Sequence, residues 1–182
     1  MTAVGSTAAL GDLSVFATDG RATRVASLWS GRSAVLLFVR HFGCIFCRQQ
    51  VAEMLPHLDR IRALGGELFV IGNGSVEEAR EFAVEHAERF PVFTDPSKAT
   101  YCELGMKRGL GTVLRPSVVA RGLRAMRKGF HQSRVAGDPW QQGGVVVIDA
   151  AGRESFRFVS RTAGEHPAPG EVVAALQSTM RT

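Results

Sequence analysis

The chain has 182 residues, 45% of them hydrophobic and 21% charged, with a formal charge of +5; this suits one globular domain with a sizeable core and leaves too little for two. Its longest uninterrupted apolar run, Ala34 to Val39, is six residues against the roughly 20 that span a bilayer, so no membrane partner is expected. Three cysteines are too few, and odd in number, for an extracellular disulfide framework.

Residues 1–11 read as a flexible lead-in to a single domain over 12–182. They show neither a basic n-region nor a long apolar h-region, and with so few cysteines the expectation is a cytoplasmic protein. Leu13 to Ala17 alternates weakly, as an early edge strand would, and Asp19-Gly20 signals a turn. Ala34 to Val39 is apolar at every position, which predicts a central strand covered on both faces. Val51, Met54, Leu55, Leu58 and Ile61 recur at helical spacing. Pro56 should bend that helix, because its ring clashes with the carbonyl of Ala52.

Leu68 to Ile71 predicts a second buried strand, followed by a Gly72-Asn73-Gly74 turn and a Ser75/Glu78 capping box for a helix reaching Arg89. Without a full glycine-rich phosphate signature, the capping box explains that turn better than a phosphate loop does. Pro91 to Thr94 gives a short strand, and Asp95-Pro96-Ser97 opens a helix carrying Tyr101 and Leu104. Residues 107–142 read as loop and short helix. Val145 to Ile148 and Ser155 to Val159 flank a turn as a hairpin, and Glu171 to Met180 closes the chain as a helix. The order predicts an α/β fold: a mixed central sheet with helices on both faces.

Between Lys107 and Gly137 lie eight Lys or Arg and no acidic residue, a stretch able to attract an anionic partner. It holds a single aromatic, Phe130, so the stacking platform of a single-strand binder is missing and no nucleic acid is expected. Arg121, Arg124 and Lys128 fall along one helical face, which reads as plain solvated surface.

The chemistry concentrates in His41-Phe42-Gly43-Cys44-Ile45-Phe46-Cys47, where a buried strand hands over to a helix. Active sites collect at that end of a strand in open α/β sheets. Cys44 falls at the helix start, where unpaired N–H groups favour a thiolate, and Arg40 and Arg48 add positive charge nearby. The i, i+3 spacing sets both sulfurs on one side of the first turn, within disulfide reach. Cys44 and Cys47 are therefore the expected catalytic pair. Two space-filling core cysteines are the plainer alternative. Zinc is another, since His41, Cys44 and Cys47 offer three ligands, but no second closely spaced pair completes a site, and no bound metal or cofactor is expected. Cys102 could resolve a sulfenic acid, although its place beside Tyr101 and Leu104 reads as core. His41 reads equally as a site residue or a turn residue.

The run Val35-Leu36-Leu37-Phe38-Val39-Arg40-His41-Phe42-Gly43-Cys44, with Cys47-Arg48, resembles the peroxiredoxin-like branch of the alkyl hydroperoxide reductase/thiol-specific antioxidant superfamily. That branch includes the prostamide/prostaglandin F synthase-like proteins. Further segments agree in order: Val70-Ile71-Gly72, Phe90-Pro91-Val92 with Asp95-Pro96, Tyr101 with Leu104-Gly105, and Gly137-Asp138-Pro139 with Gln142-Gly143-Gly144-Val145. The resemblance implies a thioredoxin-like fold and thiol-dependent reduction of a peroxide, endoperoxide or disulfide, whether small molecule or protein. The cycle would run through a Cys44–Cys47 disulfide and an external reductant such as thioredoxin; a homodimer stays open. A non-catalytic redox sensor or partner-binding protein is the alternative. Arg40, His41, Arg48, Gln142 and Gly144 are the expected activating or substrate-contacting residues. Peroxiredoxins carry Pro-x-x-x-Thr-x-x-Cys. With Cys47 in the last place, Cys44 stands for Thr and Arg40 for Pro; with Cys44 there, His41 and Leu37 do. The cis-proline of thioredoxins is absent, with Gly144 near its place. The peroxiredoxin analogy makes Cys47 the attacking sulfur and the thioredoxin analogy makes it Cys44.

Overall fold

A computed structural model describes residues 7–109, 116–127, 129 and 135–181. In chain order the elements are α1 (Ala8–Asp12), β1 (Ser14–Ala17), β2 (Ala22–Arg24), β3 (Ser33–Phe38), α2 (Ile45–Met54), α3 (Leu58–Ala63), β4 (Gly66–Gly72), α4 (Val76–Glu85), β5 (Val92–Thr94), α5 (Ala99–Glu103), α6 (Pro116–Arg127), β6 (Gly144–Ile148), β7 (Glu154–Val159) and α7 (Pro169–Ser178). The seven strands form one mixed sheet in the order β2-β1-β5-β4-β3-β6-β7. β4 pairs parallel with β3 and β5, and the remaining pairs are antiparallel. The fold is α/β and thioredoxin-like.

The unbroken apolar run of β3 has a simple cause: both its faces are covered. Val35 and Leu37 enter a core with Val51, Leu58, Phe82 and Leu176, beneath α2, α3, α4 and α7. Ala34, Leu36 and Phe38 enter a second core with Val15, Trp29, Phe93 and Tyr101 on the opposite face. Among the described residues, no helix is long and apolar enough to cross a membrane.

Several sequence expectations need correction. β1 is not an edge strand: it lies between β5 and β2, and β2 takes the edge. The Asp19-Gly20 turn folds the chain back to make β2, whose three mainly exposed residues carry no hydrophobic alternation. The lead-in is structured from Thr7 onward; Leu10 is buried, and the Thr7 hydroxyl hydrogen-bonds the carbonyl of Gly152. Pro56 does more than bend a helix, since a 3₁₀ turn over Leu55–His57 divides α2 from α3. α4 stops at Glu85, short of Arg89, because Ala87 and Glu88 turn left-handed with φ of 52° and 49°. The Ser75/Glu78 capping box forms as expected, with both reciprocal bonds present. Lys128 and His131, in the basic stretch, lie outside the described residues, as does the side chain of Arg121.

Candidate active site

The chain leaves β3 at Phe38 and reaches α2 at Ile45 through six residues held from below by packing and backbone bonds. Val39 N–H donates to the carbonyl of Ile71 at 2.9 Å, and Phe42 N–H to that of Ala136 at 3.0 Å. Phe42 presses its ring onto Gly72 at the end of β4, so closely that a Cβ there would lie 2.2 Å from the ring. Cys44 N–H then donates to His41 O at 3.1 Å, closing a turn that sets Cys44 as the N-cap of α2. Cys47 follows one turn later. Both are free thiols and both are buried.

The sulfurs share a hydrogen bond, and their environments differ. Cys44 is drawn down from the ordinary thiol range to about 6, first by the hydrogen bond from Cys47, against a desolvation cost. The Arg40 charge and the N–H groups of Phe46 and Cys47 act in the same direction, although the sulfur makes no full capping hydrogen bond. Burial pushes Cys47 well up, and the bond and negative charge of Cys44 add to it. Cys47 Sγ also accepts the Arg40 N–H at 3.2 Å, which favours its thiolate, but that contribution is the smaller. These influences favour the thiolate on Cys44 and the thiol on Cys47.

Arg40 is the cation of the site. Its side chain is buried, with Nε donating to Gln141 O at 3.1 Å and Nη2 to Pro139 O. Both acceptors are backbone carbonyls of one loop, and that loop is anchored in turn. Asn73 Nδ2 donates to Arg40 O at 2.8 Å, and its Oδ1 accepts the Asp138 N–H at 2.8 Å. The Asp138 carboxylate takes Lys98, Arg108 and the Trp140 N–H. Tyr101 closes the structure from the other face, its hydroxyl lying 2.7 Å from Val39 O and 2.9 Å from Ile71 O.

The remaining expected residues separate. His41 is buried and pulled down to about 4, first by desolvation, then by the Arg40 charge, against Asp138; near neutral pH it carries no charge. Arg48 points away from the sulfurs into a bidentate pair with Glu85, tying α2 to α4. Gln142 is fully buried, and neither atom of its amide has a hydrogen-bond partner among the described residues. Gly144 starts β6 opposite Phe38, where a Cβ would lie 2.3 Å from the Phe158 carbonyl; its place is one of close backbone approach. Cys102 is exposed, not core: α5 turns Thr100 and Tyr101 inward and leaves Cys102 to solvent. Among the described residues no three His, Cys, Asp or Glu side chains converge to hold a metal.

Asn73, Asp138 and Tyr101 were not singled out as site residues from sequence. Asn73 was visible only as turn punctuation and Asp138 only within a family-like segment. A narrow cleft reaches Cys47 between Arg40, Phe46, Gln50 and Gly143, with about 10 Å³ of open space, enough for roughly one water.

Comparison with known proteins places these observations. The profile of the AhpC/TSA antioxidant enzyme family matches residues 53–162, which takes in the Asn73 and Asp138 anchors. The chain is 29% identical over 181 residues to "Thioredoxin-like protein AAED1, chloroplastic" of Arabidopsis thaliana, covering 94% of this chain and 73% of that protein. It is 28% identical over 166 residues to the prostamide/prostaglandin F synthase of Danio rerio, covering 87% and 81% respectively. Among solved structures, the Xanthomonas campestris bacterioferritin comigratory protein, described for alkyl peroxide reduction, superposes with a TM-score of 0.67 at 14% identity, over 98% of this chain and 97% of that one; at that identity the likeness is one of fold.

Proposed function

The chain belongs to the AhpC/TSA antioxidant enzyme family, in its peroxiredoxin-like branch, and from that premise we propose that this oxidoreductase reduces an alkyl-type hydroperoxide or endoperoxide through a Cys44–Cys47 dithiol–disulfide cycle. The observation that carries the reading is the pair of free, buried thiols set one turn apart at the start of α2, with the backbone N–H of the buried Arg40 on Cys47 Sγ. Alkyl peroxide reduction is described for the Xanthomonas campestris neighbour, and the Danio rerio relative is named for prostamide and prostaglandin F synthesis.

The chemistry follows from a thiolate on Cys44 and a thiol on Cys47. The Cys44 thiolate attacks the outer peroxide oxygen, the O–O bond breaks, and the leaving alkoxide takes the proton from Cys47 to depart as alcohol. With a hydroperoxide Cys44 is now a neutral sulfenic acid; with an endoperoxide it is a sulfenate ester, from which Cys47 would displace the second alkoxide in place of hydroxide. The negative charge and hydrogen bond that held Cys47 protonated are gone, so the new Cys47 thiolate is free to attack the Cys44 sulfur. The S–S bond forms, hydroxide leaves and collects a proton from solvent. An external dithiol of the thioredoxin kind then returns two electrons and two protons, and the pair is reduced again. Arg40 stabilises the anion before each attack and faces the alkoxide as it forms. A reducing compartment suits this cycle; the cytoplasm is one, and the Arabidopsis thaliana relative is named for the chloroplast.

Peroxide consumption by Cys44→Ser and Cys47→Ser variants, with thioredoxin and its reductase as electron source, tests the reading. Cys44→Ser should lose turnover completely. Cys47→Ser should consume about one equivalent and stop as a sulfenic acid. If both variants turn over like the parent, the pair is not the redox centre. A pair that oxidises reversibly but never turns over would favour a redox sensor.

A further inference from the structure

Of the solvated face expected along Arg121, Arg124 and Lys128, the described side chain, Arg124, is exposed, and α6 carries an exposed apolar stripe besides. Val118 and Ala125 are buried on one side, and a Cβ on Gly122 would lie 3.7 Å from Phe46, so the helix lies over the first turn of α2. Val119, Leu123 and Met126 are 63%, 54% and 54% exposed. Their spacing of four and three residues aligns them in a single stripe beside the buried face. Continuing around the helix, Arg127 and then Arg124 border that stripe on its solvent side. Both are exposed, and neither pairs with a carboxylate among the described residues. The surrounding sequence from Lys107 to Gly137 carries eight cations and no acidic residue.

Isolated exposed apolar residues need no explanation, but three in line, bordered by unpaired arginines, form an interfacial pattern. Water solvates the arginines but not the stripe, whereas an anionic lipid surface suits both: the stripe favours acyl chains, and the arginine stems can extend from it to place their charge among phosphates. We infer that α6 docks this protein on an anionic lipid surface, with Val119, Leu123 and Met126 dipping below the headgroups and Arg124 and Arg127 bound to lipid phosphates. The expectation of no membrane partner rested on the length of apolar runs, which bears on spanning a bilayer and not on resting against one. Because α6 lies over Phe46, in the first turn of α2 between the two cysteines, the docked orientation keeps the cysteine end of the molecule near the lipid surface. This part rests on the peroxidase reading, and it assigns the substrate class as hydroperoxides carried by membrane lipids.

Flotation of the full chain with phosphatidylcholine vesicles, with and without phosphatidylglycerol, tests the docking. The protein should float with the anionic vesicles and not with phosphatidylcholine alone. Leu123→Ser with Met126→Ser should weaken binding at least tenfold from the lost apolar insertion. Arg124→Gln with Arg127→Gln should weaken it by about thirtyfold, at about 1 kcal/mol for each cation near such a surface. All four positions are exposed, and turnover of a water-soluble alkyl hydroperoxide should be unchanged in both double variants. Turnover of a phospholipid hydroperoxide in anionic vesicles should fall with the binding. Failure to float, equal binding to neutral vesicles, or binding that survives both double variants would overturn the inference. So would a concentration-dependent dimer that Leu123→Ser abolishes, since the stripe would then belong to a second copy. Absence of turnover on the soluble peroxide in the parent protein would instead sink the peroxidase reading and leave the flotation result standing.

Discussion

At Cys44 several weak influences bear on a single sulfur, and their sum draws its pKa down to about 6. The hydrogen bond from Cys47 is the largest, and the Arg40 charge and two helix-start N–H groups reinforce it against burial. Its depressed value means that the thiolate persists above about pH 6 and is lost as the pH falls through that point. The ultraviolet absorbance of the thiolate should therefore titrate near pH 6 in the reduced protein. Cys47→Ala removes the largest cause, so the midpoint should move up toward the ordinary thiol range, about 8.5. An unchanged midpoint would mean that Arg40 and the helix hold the charge alone. The pair, its strand-to-helix setting and the cationic neighbour were all legible in the sequence, because each is local. What the sequence could not show is that Arg48 turns away to Glu85 while Arg40 turns in. Both stand four residues or fewer from a cysteine, and their directions are set by partners nearly forty and a hundred positions away.

Among the elements, the legible ones are those whose burial is written in composition: β3, β4 and β6 are continuous apolar runs, and the α4 cap is a four-residue pattern. β2 was hidden and α6 was legible only as a short helix without bounds, for opposite reasons. β2 is short, exposed and held chiefly by its backbone pairing, whereas α6 spends part of its apolar surface on solvent, which blurs the period. Tyr101 shows how one side chain steadies a site it does not enter. From α5 its hydroxyl bonds the carbonyls of Val39 and Ile71, at the ends of adjacent strands just below the cysteine turn. Tyr101→Phe leaves those buried acceptors without that donor, at a cost of about 1–2 kcal/mol. Urea unfolding should show a lower midpoint with an unchanged slope. A midpoint equal to the parent would show that the hydroxyl adds nothing to the net balance.

Over the whole molecule, the sheet brings together what the chain holds apart. Arg40 follows β3, the carbonyls of Pro139 and Gln141 precede β6, and β3 pairs with β6; that adjacency places a cation, its supports and two thiols at one end of the sheet. Asn73, after β4, joins the same end because β4 pairs with β3 on its other side. Spacing arguments along the chain do not reach such contacts, which depend on strand order. The same arrangement sets Cys102 apart, exposed on α5, so the redox chemistry should involve two sulfurs and leave the third untouched. The most direct measurement is the intact mass of the fully reduced protein after one equivalent of alkyl hydroperoxide, followed by peptide mapping. The account predicts the loss of two hydrogens, a Cys44–Cys47 disulfide and a free Cys102. A disulfide through Cys102, a lasting sulfenic acid in the unsubstituted protein, or an unchanged mass would contradict it.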